Sequence, residues 1–470
     1  MYMIIAIDLG TTSNRVIVFD KQANIVYKKQ LEHKQIYPQA GWVEHDANQI
    51  WMDTKELLDG AVKQCPDVKA IGITNQRETI VAWDVTGPLH NAIVWQDSRT
   101  RAYCDELKKD KEFITYVHQN TGLPVDSYFS GTKIKWLNDN VIKDNQNVQF
   151  GTIDTWIIHK LCGEFVTDHT NASRTMLYNL NTNSWDETLL KKFGVTKTQL
   201  PRIVNSSEKI GEYRGIPICG IAGDQQASLF GQRCFTTGDI KNTYGTGCFC
   251  LVNTGEKRII SEKGLLTTVA ISLDSKITYA LEGSVFMGGA ILLWLRDELG
   301  LIKSFSEVES ICESETDTNS VYLIPAFVGL GTPYWRDDVR GALFGLTRGA
   351  NKNHIVRAGV EAIAYQVKDL FDVMKSETPF ELNHVRTDGG VTHNNFLMQF
   401  QSDITRSEIR VANIEETTAL GAAFLAGLAI GFWSEAEITN LDLGQRVFTP
   451  KSDKSEAISG WENAVSQLLK

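Results

Sequence analysis

Two strand–turn–strand units with small-residue turns constrain this chain more than any other feature. The first, "MIIAIDLGTTSNRVIVFD" (Met3–Asp20), sets two β-rich runs about Gly10, Thr11, Thr12 and Ser13, with Asp8 closing the apolar run. A tight two-residue hairpin asks for little more than Asn-Gly or Asp-Gly at its turn, so three consecutive hydroxyl residues there call for another purpose. The second, "DIKNTYGTGCFCLVN" (Asp239–Asn253), repeats the arrangement about Gly245, Thr246 and Gly247. Turns of this composition offer several backbone N–H groups and hydroxyls in one small concavity, which suits a phosphate. A carboxylate at the position of Asp8 can hold a magnesium ion, directly or through water.

The elements downstream of the two units are alike in kind. After the first come the helical pattern "ANQIWMDTKELLDGAVKQC", the strand "VKAIGIT", helices through "SGTKIKWLNDNVI" and "DTWIIHKLCG", and the run "IPICGIAG" giving way to "DQQASLFGQ". After the second come "KITYALEGS", the amphipathic "GGAILLWLRDELG", the strand "VYLIPAF", the long helix "HIVRAGVEAIAYQVKDLFDVM" and the glycine turn "DGGVTHNNFLMQF". Residues 1–30 read as an antiparallel meander of alternating apolar and polar positions. The order of element types recurs without a residue-level repeat. Two lobes of similar size are expected, residues 1–232 and 233–470, packed closely because no Pro/Gly/Ser-rich linker separates them.

A chain of 470 residues exceeds one ordinary core, in agreement with that division. Its net charge of −10, with basic residues scattered, argues against nucleic-acid and anionic-membrane partners. The eight cysteines form no CxxC pair, the pattern of reduced thiols in a cytoplasmic protein. No basic segment precedes the first strand, and "AAFLAGLAIGFW" (Ala422–Trp433) is too short to span a bilayer, so it reads as a buried helix. No Walker A or dinucleotide-type GxGxxG motif is present, which removes the P-loop and Rossmann readings.

The two hairpins and "DGGVTHNN" resemble the phosphate and adenosine elements of the actin, sugar-kinase and Hsp70 ATPase superfamily. More narrowly, "ITNQRET", "AIVWQDSRT", "YFSGTKIKW", "TNASRTMLYN", "GIAGDQQASLFGQ", "NTYGTGCF", "GLGTPYW" and "GALFGLTRG" resemble, in order, strings of the FGGY carbohydrate kinase family, in its glycerol-phosphorylating branch. The similarity runs from about residue 4 to residue 433. It implies an α/β fold of two actin-like (ribonuclease H-like) lobes, each a mixed sheet flanked by helices, with a catalytic cleft between them. It also implies a cytoplasmic enzyme that uses ATP and Mg2+ to phosphorylate glycerol and assembles as a homo-oligomer, dimer or tetramer.

By the same resemblance Asp224 is the general base and Asp8 the magnesium-organising acid. Arg77, Glu78, Tyr128 and Gln225 read the polyol hydroxyls, while Trp95 and Phe249 wall its carbon skeleton. Thr11, Thr12, Ser13, Arg15, Thr246, Gly289, Gly390 and Asn394 surround the nucleotide. These assignments agree with the residues' own chemistry: a small polyol needs charged or amide groups facing aromatic walls. Three positions depart from the family pattern: Leu9 in the first turn, Ser98 after "WQD", and Leu293 where a glutamine is common near adenine. The alternatives are an FGGY kinase for another small polyol or a pentulose, and more remotely a non-kinase actin-fold ATPase. A chaperone would need a peptide-binding domain after the ATPase and a sugar-responsive repressor a DNA-binding segment before the first strand, and neither is expected here.

Overall fold

The computed structural model describes residues 2–143, 147–336 and 338–470. Its first large sheet contains β1 (Met3–Leu9), β2 (Ser13–Phe19), β3 (Ile25–Glu32), β4 (Val68–Asn75), β5 (Ser207–Tyr213) and β6 (Ile216–Gly223), in the order β5-β6-β4-β1-β2-β3. β1, β2 and β3 form an antiparallel meander, β1 runs parallel to β4 and β4 to β6, and β5 closes the edge antiparallel.

The second sheet is built the same way from β7 (Ile240–Tyr244), β8 (Cys248–Gly255), β9 (Leu266–Leu273), β10 (Lys276–Val285), β11 (Val385–Asp388), β12 (Ile409–Ala412) and β13 (Gln445–Phe448). Their order is β9-β10-β8-β7-β11-β12-β13, with β7 parallel to β11, β11 parallel to β12 and β13 antiparallel at the edge. Apart from the additional edge strand β9, it repeats the strand directions of the first sheet, although the antiparallel edge strand precedes its neighbour there (β5 before β6) and follows it here (β13 after β12). The recurrence of element types in the sequence is thus a recurrence of topology, and each small-residue turn joins the same pair of strands in its own sheet.

Helices cover these sheets: α1 (Ala47–Gln64), α2 (Ser130–Leu137), α3 (Ile153–Cys162), α4 (Asp224–Gly231), α5 (Ala290–Asp297), α6 (Lys352–Glu377), α7 (Asn395–Thr405) and α8 (Thr417–Ala429). α1 starts where Asp46 accepts from the N–H groups of Asn48 and Gln49, and α7 where Asn394 accepts from Leu397 N–H at 2.9 Å. Three sequence expectations differ in detail. β1 does not alternate but is buried along its whole length, because β4 and β2 flank it and helices pack on both faces. The run through Asn138–Ile142 continues α2 as a wider π-type turn. "VYLIPAF" contributes a strand of only Tyr322–Ile324.

α8 is the buried helix expected at Ala422–Trp433, and it comes from the C-terminal half of the chain. It nonetheless lies on β1, β4 and β6 and against α4, sharing a core with Ile4, Ala6, Ile17 and Phe19. Glycines make the approach possible. A Cβ on Gly421 would stand 1.9 Å from the Ala227 carbonyl oxygen, and one on Gly231 2.0 Å from that of Thr417. Any side chain larger than hydrogen forces α4 and α8 apart. Gly421→Ala is therefore expected to cost about 1–3 kcal/mol by overpacking, read as a lower midpoint in urea; an unchanged midpoint would show that the two helices separate freely.

Candidate functional site

At the first turn, Gly10 N–H donates to the Ser13 carbonyl at 3.0 Å, which closes the loop tightly. Asp8 and Arg15 are cross-strand partners at its base. Arg15 Nη1 lies 3.8 Å from Asp8 and 3.1 Å from Glu416, and Lys28 also pairs with Glu416. Burial pushes Asp8 up to about 6, assisted by the nearby charges of Glu416 and Asp224 and opposed by Arg15. Thr12 is exposed and Thr11 half-buried. The Thr11 hydroxyl accepts from Trp95 Nε1 at 3.0 Å, and its carbonyl accepts from Gln35 at 2.8 Å.

Where β4 ends, Arg77 and Glu78 enter a buried charge cluster. Arg77 binds Glu282 of β10 through both terminal nitrogens, at 2.5 and 2.8 Å, and its Nε meets Asp224 at 3.1 Å. Arg174 Nε donates to Glu78 at 2.6 Å, and its Nη2 stands 3.4 Å from Glu282. That second approach is an ion pair without hydrogen-bond geometry. Burial acts upward on Glu282, but Arg174 and Arg77 outweigh it and hold the carboxyl down at about 2. Glu78 is raised, because burial there exceeds the pull of the same two arginines. Its φ of +62° is a strained backbone for a side chain with a Cβ, of the kind that collects at functional sites. Gly223 has to be glycine, since a Cβ would meet the stem of Arg77 at 2.7 Å.

The other acceptor candidates surround this cluster. The Trp95 and Tyr128 rings meet edge-on at 5.6 Å, and the Arg174 guanidinium lies 5.6 Å from the Tyr128 ring. Buried Lys133 of α2 holds the Tyr128 backbone by donating to its carbonyl at 2.7 Å and to that of Ser127. Asp224 opens α4; its Oδ1 accepts from Gln225 N–H at 2.7 Å and forms an ion pair with Arg77 Nε at 3.1 Å. Its Oδ2 has no partner among the described residues. The Gln225 side chain accepts from Lys241. Phe249 pairs with Ser284 across β8 and β10, two places from Leu251 opposite Glu282, so the pleat puts it on the sheet face that carries Glu282.

Thr246, Gly289, Gly390 and Asn394 come together around one cavity of about 540 Å³, whose walls include Leu293 and Phe305. That volume is ordinary for a small-molecule site. Gly288 N–H donates to the Thr246 carbonyl at 2.8 Å, and Gly289 N–H to that of Gly245 at 2.8 Å, locking the second turn onto the start of α5. Leu293 is 40% exposed in this wall. Asp388, at the end of β11, accepts from Ser228 at 3.0 Å and from Thr417, while its Oδ1 is buried without a partner.

Sequence reasoning did not single out Arg174, Lys241, Glu282, Asp388 or Glu416. Arg174 and Glu282 carried a signal: each is a charged residue inside an otherwise apolar or small-residue run, "NASRTML" and "YALEGSV". Lys241 and Glu416 carried none, because what matters about each is a partner in the other half of the chain.

Duplicate mixed sheets, each opening a small-residue turn toward a cleft, define a two-lobed phosphotransferase of the actin-like sugar-kinase fold. The N-terminal domain model of the FGGY family of carbohydrate kinases matches residues 3–231, and the C-terminal domain model matches residues 240–430. The chain belongs to that family. It is 54% identical to a glycerol kinase of Shewanella halifaxensis over 99% of both chains, and 51% identical to one of Clostridium beijerinckii over 99% of this chain and 98% of the other. The structure superposes on a crystal structure of Plasmodium falciparum glycerol kinase with ADP at a TM-score of 0.95 and 38% identity, covering 100% of this chain and 99% of the other.

The cluster geometry gives a direct expectation. Glu282→Gln leaves Arg77 and Arg174 buried with one carboxylate fewer, a loss of about 3–5 kcal/mol measurable by chemical denaturation. A stability within about 1 kcal/mol of the parent, the range of exposed ion pairs, would show that water reaches these arginines.

Proposed function

We propose that the chain transfers the γ-phosphoryl group of ATP to a terminal hydroxyl of glycerol, forming sn-glycerol 3-phosphate. The observation that carries the catalytic assignment is the difference among the three carboxylates around Arg77. The side chains of Glu78 and Glu282 are 1% exposed, whereas Asp224 is 33% exposed. Its Oδ1 is held by the Gln225 N–H and by the charge of Arg77, so Oδ2 is left to accept the proton of an incoming hydroxyl. The kinship with glycerol kinases at about half identity supports the choice of acceptor over a larger polyol or a pentulose.

In this reading Glu78, Arg77 and the Tyr128 hydroxyl orient the glycerol hydroxyls. Arg77 has little left to give, since both terminal nitrogens already bond Gln226 or Glu282 and its Nε faces Asp224. Gln225 reads a hydroxyl through the amide that Lys241 orients, and Trp95 and Phe249 face the C–H edges. Phosphoryl transfer needs positioning and charge stabilisation above all. The Trp95–Thr11 hydrogen bond links the wall of the acceptor pocket to the turn that receives the phosphates, so alignment of one assists the other. Thr12, Ser13 and Arg15 complete that turn, and Thr246, Gly289, Gly390 and Asn394 bind the nucleotide in the 540 Å³ cavity.

The residues fit a magnesium ion that arrives with the nucleotide. No group of three or more metal-ligating side chains occurs among the described residues, and Mg2+ commonly uses one or two carboxylates plus phosphates. Asp8, raised by burial, is a carboxylate short of positive charge, and would hold the ion. When bound, Mg2+ neutralises charge on the phosphate oxygens. A cytoplasmic location is part of the proposal: the eight cysteines are unpaired, and among the described residues no helix is long and apolar enough to cross a membrane.

The primary test is ADP release on addition of glycerol, erythritol, xylulose or ribulose to enzyme and Mg-ATP. ADP formed at equal rates without any acceptor would overturn the kinase reading. Asp224→Asn keeps the helix start but removes the base, so turnover should fall about 10²–10⁴-fold with glycerol affinity little changed; near-parental turnover refutes the role.

Asp8→Asn should abolish transfer and yet stabilise the free protein at neutral pH. With its carboxyl raised from 3.8 to about 6, the folded state binds more protons than the unfolded one between those values. Stability is therefore highest below pH 4 for this group and is lost as pH rises through 6. Removing the charge should return about 1–3 kcal/mol at pH 7. A variant less stable than its parent at pH 7 would contradict this.

A further inference from the structure

Away from the 540 Å³ cavity and from the cluster around Arg77, three arginines converge where β11 and β12 meet the end of α4 and the start of α8. Arg233, Arg386 and Arg410 line a small cavity of about 30 Å³ together with Thr417, Gly444 and Gln445, enough for about two waters. Arg386 and Arg410 are direct neighbours across β11 and β12, and Lys241 on β7 is the next residue in the same row. The pleat therefore sets three cations side by side on one sheet face.

Very little negative charge answers them. Arg386 makes no hydrogen bond or ion pair with any described residue, and its Nε is buried without an acceptor. Arg233 donates only to the carbonyls of Thr439 and Leu441, at 3.1 and 2.7 Å. Arg410 uses Nε for Glu408 at 2.5 Å, and its other nitrogens are uncommitted. The other acids nearby bond elsewhere: Asp239 accepts from Asn383 and from Thr236 N–H, Asp442 from Gly444 N–H, and Asp388, two places along β11 from Arg386, accepts through Oδ2 from Ser228 and Thr417 and leaves Oδ1 without a partner. Burial and the adjacent Arg386 charge lower Arg233 from its ordinary value, as expected of like charges held together. Among the three arginines only Arg410 touches a carboxylate, and the Arg386 guanidinium has no counterion in contact among the described residues. Planar forks of this kind take phosphate oxygens bidentately.

We propose that this cavity is an oxyanion site distinct from the catalytic cleft, which holds a phosphate group between Arg386, Arg410 and Arg233. The cavity is open to solvent on one side, so phosphate oxygens can enter against the guanidinium groups while the remainder of a small monoester stays outside. Thr417 belongs both to this cavity and to the hydrogen bond with Asp388, so an occupant would bear on the start of α8, the helix that ties the two halves together.

The test is a titration of the full chain with inorganic phosphate, and separately with glycerol 2-phosphate, followed by thermal midpoint. A non-hydrolysable ATP analogue and glycerol are present throughout to fill the cleft, and sodium chloride at matched ionic strength controls for screening. The expected result is a saturable rise with at least one phosphate compound beyond that of chloride. Both compounds acting alike identifies the phosphate group as the ligand, and glycerol 2-phosphate acting alone identifies an ester. Arg386→Gln should lose the rise, melt no lower than its parent in chloride, and turn over within about twofold of it, as substitutions remote from the chemistry do. Neither compound exceeding chloride, a full rise retained by Arg386→Gln, or a lower midpoint of that variant in chloride would each overturn the proposal. If Arg386→Gln does not fold, Arg410→Gln is read by its loss of the phosphate response, and a response equal to the parent's overturns the proposal.

Discussion

The interaction on which the remaining geometry depends is the fork between Arg77 and Glu282. It joins a residue at the end of a first-sheet strand to one inside a second-sheet strand, 205 positions later. Arg174 and Glu78 complete a set of two cations and two anions, each with a buried side chain. Taking four charges out of water is expensive, and such clusters seldom add net stability over an apolar core. What this one supplies is direction. Glu282 fixes the Arg77 guanidinium, Arg77 fixes one oxygen of Asp224, and Arg174 fixes Glu78 while facing the ring of Tyr128. The orientation of the proposed acceptor pocket is thus inherited from a pairing between the two halves of the chain.

A second tie runs the other way. Glu416, immediately before α8, pairs with Arg15 and Lys28 of the first meander. α8 itself sits on the first sheet because Gly72, Gly231 and Gly421 let backbone meet backbone. The first small-residue turn, in one half, is therefore steadied by residues of the other. A movement that opened the cleft by sliding α8 would disturb the charge around Asp8 at the same time. Packing and electrostatics are coupled through one helix.

Much of this was legible in the sequence, for identifiable reasons. The hairpins at Gly10 and Gly245 advertised themselves because turn composition and strand pattern are local properties. "IPICGIAGDQQ" marked the β6–α4 junction, since a β-rich run stopping at glycine before an acid is a local signal as well. The long quoted strings supplied the family, and with it Asp224, Arg77 and Tyr128. What remained hidden was relational. Nothing local to Glu282 names Arg77 as its partner, and nothing in "NIEETTALG" says that Glu416 neutralises Arg15. The complete burial of β1 was misread as alternation because its polar-looking neighbours lie in the turn, while both of its faces are covered by elements far away in sequence. Arg386 and Arg410 lie in short strands whose register cannot be known before the sheet is assembled, so their adjacency had no sequence signature.

The carboxylates show how the available positive charge has been distributed. Glu282, with two arginines against it, is held at about 2 and stays ionised at any working pH. Asp8, also buried, has one arginine at 3.8 Å that it shares with Glu416, and rises to about 6. Both are carboxylates at strand positions in matching sheets, and the difference between them lies in the charges nearby: more fixed cations at Glu282, fewer cations and two further acids, Glu416 and Asp224, at Asp8. Glu282 is therefore a permanent counterion whose task is structural. Asp8 sits near Asp224 and Glu416 with its charge incompletely answered, so any cation that enters the cleft gains most by settling there. A protein that compensated Asp8 as fully as Glu282 would be more stable empty and would have less affinity for an incoming metal–phosphate complex. The sparse compensation at Asp8 is what the proposed reaction requires of that position.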